Sequence, residues 1–281
     1  ADTSFDFDTQ GIKMFVDGDW VKAKGTTLGA DNGLGVAAIM AVLSSTDIPH
    51  PPLEGLFTVD EETGMTGAMG LEADVLKGDI LLNLDTEDDD EIGIGCAGGI
   101  DVTATGTYAL EDVPKNTTGF TISVTGLNGG HSGMDIIKGL GNANKIMNRI
   151  LFEGVANFGL RISEINGGSL RNAIPRESFS IVTVDNISKE AFIFESDTLI
   201  NNIKQEFLTI EPHLKIEIEA TSLPKSVMDL GVKEGLLKSM YAALNGVYRM
   251  SPDIVGLVET SNNIARVIVK DSAIKIGCLT R

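Results

Sequence analysis

The order of elements between Gly119 and Ala220 restricts the fold of this 281-residue chain more than any other feature. Gly119–Thr125 alternates threonine with apolar residues and reads as a strand. A glycine-rich loop, GLNGGHSG, leads into a helix from about Gly141 to Glu153, and strands follow near Phe158–Glu164 and Ser178–Val184. A second helix near Lys189–Thr209 ends at a strand over Leu214–Ala220. The pattern runs β-α-β-β-α-β.

That order is the one used by a ferredoxin-like split unit, and it sets residues 110–222 apart as an α+β domain. Residues 223–281 read as the start of a second such unit, with a helix near Val232–Leu244 and strand-like stretches over Ile254–Glu259 and Ala265–Thr280. They echo the earlier stretch at a fixed offset: Glu164 with Glu259, Arg171 with Arg266, Ile181 with Ile276. Residues 1–109 have another character. Ile12–Val16 and Trp20–Ala23 flank Asp17-Gly18, a favoured tight-turn pair, and predict a hairpin. LGVAAIMAVLSS, apolar on most sides, predicts a buried helix to about Ser45. Leu53–Val59 as strand, Met65–Val75 as helix and Ile80–Leu84 as strand imply a parallel sheet covered by helices. The expected fold class is α/β: a parallel-rich sheet with helices over 1–109, then the α+β domain over 110–281.

Charge and cysteine content narrow the partners. Lys+Arg number 22 against 40 Asp+Glu, a formal net charge of −18, whereas nucleic acid and anionic membranes demand basic surface. No apolar run approaches the roughly 18–20 residues of a membrane span. Two cysteines, Cys96 and Cys278, are too few for a disulfide framework, which fits a reducing compartment. Cys96, on the GCAGG turn, reads as a buried structural residue and Cys278 as core.

Acidic groups gather where the predicted strands of the first domain end. Asp31 lies in GADNG ahead of the Ala-rich helix, Asp60, Glu61 and Glu62 follow LEGLFTV, and Asp85 follows DILLNL. Ligand sites in parallel α/β sheets lie beyond the carboxyl ends of strands, so these clusters would converge. Converging carboxylates repel unless cations or protons compensate, and carboxylate donors suit Zn, Mn or Mg. Each acid alone has a simpler role. Asp31 would cap the helix, Asp60–Glu62 would be a solvated strand exit, and DTEDDDE would be a solvated turn in which only Asp85 has a task. Their combination favours a metal site.

TTLGADNG, TVDEETGMTGAMGLEA, KGDILLNLDTE, GCAGGID, GLNGGHSG and GGSLRNAIPRE occur in this order, and together they resemble the cytosolic aminoacyl-histidine dipeptidases, a co-catalytic dizinc metallopeptidase family. The resemblance covers nearly the whole chain. It implies a zinc-peptidase-like catalytic domain over 1–109 with a lid domain after it, hydrolysis of unblocked dipeptides in the cytoplasm, and a homodimer. It further implies two Zn2+ ions, with Mn2+ or Co2+ able to substitute. By the same resemblance Asp31 bridges the metals, Glu62 binds one and Asp85 the other, Glu61 is the general base, and His131 stabilises the oxyanion. Asn172 and Arg176 grip the substrate backbone or its terminal carboxylate, a task that suits the planar arginine fork. Without those motifs, His131 reads as a structural loop histidine, Asn172 as a turn residue and Arg176 as half of a surface ion pair.

Two parts of the family pattern are absent: a His-x-Asp ahead of GADNG and a metal-binding histidine near the C-terminus. The three histidines are His50, His131 and His213, of which His50 and His213 read as loop residues. Each ion would then have three ligands where zinc commonly takes four. The expectation is an internal fragment with weak metal binding and negligible turnover by itself. The competing expectation is a non-catalytic lid and oligomerisation module with a vestigial acid cluster. A magnesium-dependent phosphatase is disfavoured, because the chain lacks a phosphate-cradling Gly-Lys motif.

Overall fold

The computed structural model describes residues 4–86, 90, 92–93 and 95–281, the Thr63 side chain excepted. It divides into two compact units, Ala1–Ile94 and Gly95–Arg281.

In the first unit β1 (Met14–Asp17) and β2 (Trp20–Ala23) form the expected hairpin, closed by the pair Asp17 and Trp20. The turn needs a left-handed residue, and Gly18 supplies it at φ 62°. Helix α1 (Gly33–Ser44) follows the Ala-rich sequence, but only Gly35 is buried, and Leu34 is 78% exposed. The helix therefore forms from local propensity without the burial that its apolar surface predicts. The expected helix Met65–Val75 shortens to α3 (Thr66–Met69), preceded by α2 (Glu61–Gly64). Leu53–Val59 and Ile80–Leu84 join no ladder among the described residues. A parallel strand depends on paired neighbours and on apolar cover of both faces, and Ile80, Leu81 and Leu82 are exposed here. The solvated-turn reading of Glu87–Asp89 and Glu91 falls outside the described residues.

The second unit contains β3 (Ile100–Thr107), β4 (Leu110–Asp112), β5 (Thr117–Thr125), β6 (Gly130–His131), α4 (Ala143–Phe158), β7 (Arg161–Gly167) and β8 (Ala173–Ile174). β9 (Ser178–Asp185), α5 (Lys189–Phe207), β10 (Lys215–Thr221), β11 (Ser226–Met228), α6 (Leu230–Ala242), β12 (Gly246–Met250), β13 (Val258–Lys270) and β14 (Ala273–Thr280) complete it. Eight strands form one antiparallel sheet in the order β10-β5-β9-β7-β13-β14-β3, with β12 also on β13. Within it β5-α4-β7-β9-α5-β10 runs in the expected βαββαβ sequence. The predicted strand Ala265–Thr280 is two strands, because Asp271 (φ 51°) and Ser272 (φ 65°) both lie in the left-handed region and turn the chain back. β13 and β14 extend the same sheet beyond β7, and Ile254–Gly256 lies ahead of β13 rather than in it.

The core lies between the sheet and its helices. Phe120, Ile122 and Val124 alternate inward on β5, as a strand with one covered face must, and Ile146, Met147, Ile150 and Leu151 of α4 pack in the same cluster. Each such fully buried side chain stabilises the fold by about 1.5–3 kcal/mol. Helix α4 starts where the Asn142 side chain accepts from Asn144 N and Lys145 N. It ends at Gly159, in the left-handed region, with Leu160 N donating to Gly154 O. Lys145 Nζ donates to the carbonyls of Met240, Tyr241 and Ala243, satisfying the C-terminal end of α6. Cys278 packs against the core. Cys96 is exposed, contrary to expectation, because its glycine-rich turn brings no apolar cover.

Asp229 ties α6 to the β3–β4 connection. Its Oδ1 accepts from Val232 N and its Oδ2 from Ala109 N, and these backbone donors hold the carboxyl below its usual range. A depressed carboxyl contributes stability above the unfolded value of about 3.9 and loses it as pH falls through the folded value. In urea denaturation Asp229→Ala is therefore expected to unfold earlier than the parent at pH 7, with the gap closing below about pH 4. A gap that stays constant down to about pH 2 would contradict this account.

Candidate functional site

Four acids of the first unit, Asp31, Glu61, Glu62 and Asp85, lie near enough to one another to interact electrostatically. Asn32, not Asp31, caps α1, its Oδ1 accepting from Gly35 N at 2.8 Å. Asp31 is thereby released from the capping role that its position suggests, and it hydrogen-bonds the Asp85 side chain, far along the chain. Glu61 and Glu62 open α2, which starts from Asp60 at a left-handed φ of 64°. Asp60 itself holds the turn: its Oδ2 accepts from Thr66 Oγ1 at 2.8 Å and its carbonyl accepts from Gly64 N and Met65 N. Partial desolvation, then the charges of Glu62, Asp85 and Asp31, push the Glu61 carboxyl above the ordinary glutamate range. Desolvation and the Asp31 hydrogen bond push Asp85 up as well. Two carboxyls can share a hydrogen bond only with a proton between them, and a cation relieves the same repulsion. The donors thus fit a divalent ion in kind, though among the described residues no group of three or more His, Cys, Asp or Glu side chains is arranged to hold one. His50 is engaged locally, its Nδ1 lying 2.7 Å from Pro51 O.

In the second unit β6 pairs with β8, setting His131 opposite Ala173, and Ser132 N donates to Asn172 O at 2.7 Å. The His131 ring is fixed by its own loop. Its Nδ1 accepts from Gly133 N at 3.3 Å and from Met134 N at 3.2 Å. The neutral ring therefore carries its proton on Nε2, as a donor. Asp135 takes the His131 backbone N–H on Oδ2, and its carboxyl is held below the usual range by Lys138 and by that N–H. Arg176 Nε donates to Leu127 O, and its side chain lies across Gly129, where a Cβ would collide with it. Asn172 and Arg176 are both exposed, and neither the Asn172 amide nor the Arg176 terminal nitrogens have a hydrogen-bond partner among the described residues. The backbone around residues 127–133 thus brings His131, Asn172 and Arg176 to one region of this unit.

Two further residues of this region carry no sequence signal. Arg281 approaches the same loop: a Cβ on Gly133 would lie 3.2 Å from Arg281 Cδ and Nε and from His131 Cε1. Arg281 Nε and the Ser132 hydroxyl are buried there without a partner among the described residues. Asn263, fully buried, donates through Nδ2 to Arg171 O and Ala173 O, the carbonyls on either side of Asn172. Neither stands in a motif. Arg281 reaches the loop only because β14 ends beside it, and an asparagine inside a strand gives no sign of which carbonyls it will hold.

Residues 83–211 match the peptidase dimerisation domain family. The chain is 41% identical over 280 residues to the cytosol non-specific dipeptidase of Escherichia coli (strain K12), covering 100% of this chain and 58% of that protein. It superposes on the crystal structure of aminoacylhistidine dipeptidase from Vibrio alginolyticus with a TM-score of 0.75 and 42% identity, over 99% of this chain and 57% of that one. The chain thus spans a little under three-fifths of each relative's length. Along its whole course the chain is similar to both proteins in sequence, and to one of them in fold.

Proposed function

We propose that the protein of which this chain forms the whole or a part hydrolyses unblocked dipeptides, of the aminoacyl-histidine kind, in the cytosol. The observation that carries this reading is the convergence of Asp31, Glu61, Glu62 and Asp85 in a chain 41% identical to a dipeptidase. Asp31, Glu62 and Asp85 would hold divalent cations, Zn2+ by the family resemblance, with Asp31 shared between two. Bound there, the cations would acidify water and polarise the scissile carbonyl.

The chain's own residues supply the remaining chemistry. Glu61, its carboxyl held above the ordinary glutamate range, takes the proton of the attacking water and returns it to the leaving amine nitrogen. His131 donates Nε2–H to the oxyanion that develops on the carbonyl oxygen. Asn172 and Arg176 bind the substrate's backbone and terminal carboxylate, and Arg281 adds a second guanidinium beside His131. The two predicted domains keep their roles in this reading, residues 1–109 catalytic and 110–281 lid, and the dimerisation-domain match supports a homodimer.

A second reading draws on the same match and on the small number of donors: the chain is a lid and oligomerisation module whose acids bind no metal. Zinc analysis after dialysis and hydrolysis of β-alanyl-histidine separate the two. The dipeptidase reading expects bound zinc that is lost in Asp31→Ala, together with turnover of free but not N-acylated dipeptides. Dimer formation with neither zinc nor turnover in the full protein would support the module instead.

A further inference from the structure

We infer that Glu211 is a positioning residue for His131, a carboxylate that closes the neck of the loop carrying the histidine. The inference rests on the proposed role of His131 as the oxyanion donor.

Glu211 sits in the turn between α5 and β10, 2% exposed. Its backbone N donates to Phe207 O at 2.8 Å and its carbonyl accepts from Leu214 N at 3.0 Å, so it is anchored to the end of α5. Its two carboxylate oxygens reach two points far apart in sequence. Oε2 accepts from Asn128 N at 2.7 Å and Oε1 from Gly141 N at 2.8 Å. Asn128 Nδ2 donates in turn to Ile210 O at 2.7 Å, doubling the attachment at the loop's entry. These backbone donors compensate the buried charge of Glu211. Gly141 is required for the approach: a Cβ there would lie 2.7 Å from Leu127 Cδ2 and 3.3 Å from Glu211 Cγ.

Everything between the two contacts belongs to the histidine loop. It includes β6, the Asp135 contact to His131 N, and the Gly133 and Met134 amides that fix the ring. Gly129, Gly130, Gly133 and Gly139 give this segment a large conformational freedom to lose. A carboxylate joining its two ends restricts the loop as the neck of an Ω-loop does. The β6–β8 pair and the Ser132–Asn172 contact anchor the tip separately, so loss of the neck should loosen the ring rather than release the loop.

Glu211→Gln tests this, since the amide keeps the volume but can accept at only one of the two ends. The chain has three histidines, so 15N-histidine NMR reads His131 directly, with assignment by His131→Gln. His50 is the internal control, and His213 is set aside because it lies two residues from the substitution. In the parent, the His131 signals should show the Nε2–H tautomer. In Glu211→Gln they should move toward the tautomer mixture of free imidazole, with His50 unchanged. In the active protein kcat should fall about tenfold, with KM within about twofold, since the lost interaction belongs to the transition state. A folded Glu211→Gln protein whose His131 signals match the parent would overturn the inference. If the variant does not fold, amide exchange in the parent decides. Protection of the Asn128 and Gly141 amides comparable to that of the core sheet supports the clamp, and exchange as fast as exposed loop amides overturns it. Retained turnover in His131→Gln would instead defeat the oxyanion role, leaving the NMR result to judge the clamp alone.

Discussion

In the dipeptidase proposed above, Glu61→Gln is expected to lower kcat for unblocked dipeptides by about 10²–10⁴-fold while leaving the metal content unchanged. Glutamine keeps the size of the side chain and can hydrogen-bond water, but it cannot accept the proton that hydrolysis releases. The neighbouring position provides the contrast, because Glu62→Gln should lose metal as well as turnover. The separation is physical: the two glutamates are consecutive at the start of α2 and lie in one field of like charges that also includes Asp31 and Asp85. That field keeps the Glu61 carboxyl above the ordinary glutamate range, which brings a base nearer the pH at which it works. Metal analysis and steady-state kinetics on the same preparations decide the matter. A Glu61→Gln protein within about threefold of the parent would remove Glu61 from the mechanism.

Asn263→Leu should destabilise the second unit by about 3–5 kcal/mol, since each buried polar group left without a partner costs about 1–3 kcal/mol. The wild-type side chain is fully buried. It donates to Ala173 O at 2.8 Å and Arg171 O at 3.3 Å, and it accepts from Asn142 Nδ2 at 3.3 Å. Asn142 also caps α4 and donates to Asn245 Oδ1 and Ile264 O, so one residue joins the start of a core helix, β13 and the backbone around Asn172. Leucine satisfies none of these groups and has no room to turn away. Urea denaturation followed by circular dichroism measures the loss directly. A change below about 1 kcal/mol would mean that the network relaxes around the substitution, against its dense connectivity.

The parts of the molecule readable from the sequence are those with a local physical signal. The βαββαβ segment carries its periods of about 3.6 and 2 in side chains that are in fact buried on one face. The Asp271-Ser272 turn escapes such a reading because hairpins of this kind are ordinarily marked by Asn-Gly or Asp-Gly, and here two non-glycine residues occupy the left-handed region. Leu53–Val59 has the composition of a strand, but strand formation depends on a neighbour's ladder, which composition does not contain. In GADNG two adjacent residues could each cap α1, and only geometry gives the task to Asn32 and frees Asp31. The acid gathering is legible because carboxylates at element ends are few and distinctive. Glu211 is not, since in IEPHLK it reads as one more loop acid.

The pairing of β3 with β14 has a consequence for how this chain is made. Ile100 lies opposite Thr280 and Thr107 opposite Ala273, so the edge strand of the sheet finds its partner among residues synthesised much later. At about 5–20 residues per second, roughly 170 residues of elongation leave β3 unpaired for about 10–30 seconds on the ribosome. The ferredoxin-like segment can assemble in that interval, because its strands and helices lie within residues already released. β3 meanwhile presents a free hydrogen-bonding edge to every other nascent chain nearby, and its sequence, IDVTATGT, includes a single charge to discourage pairing. The period between emergence of β3 and arrival of β14 is therefore when a holding chaperone has most to protect, and slowing translation ahead of residue 273 should raise the aggregated fraction.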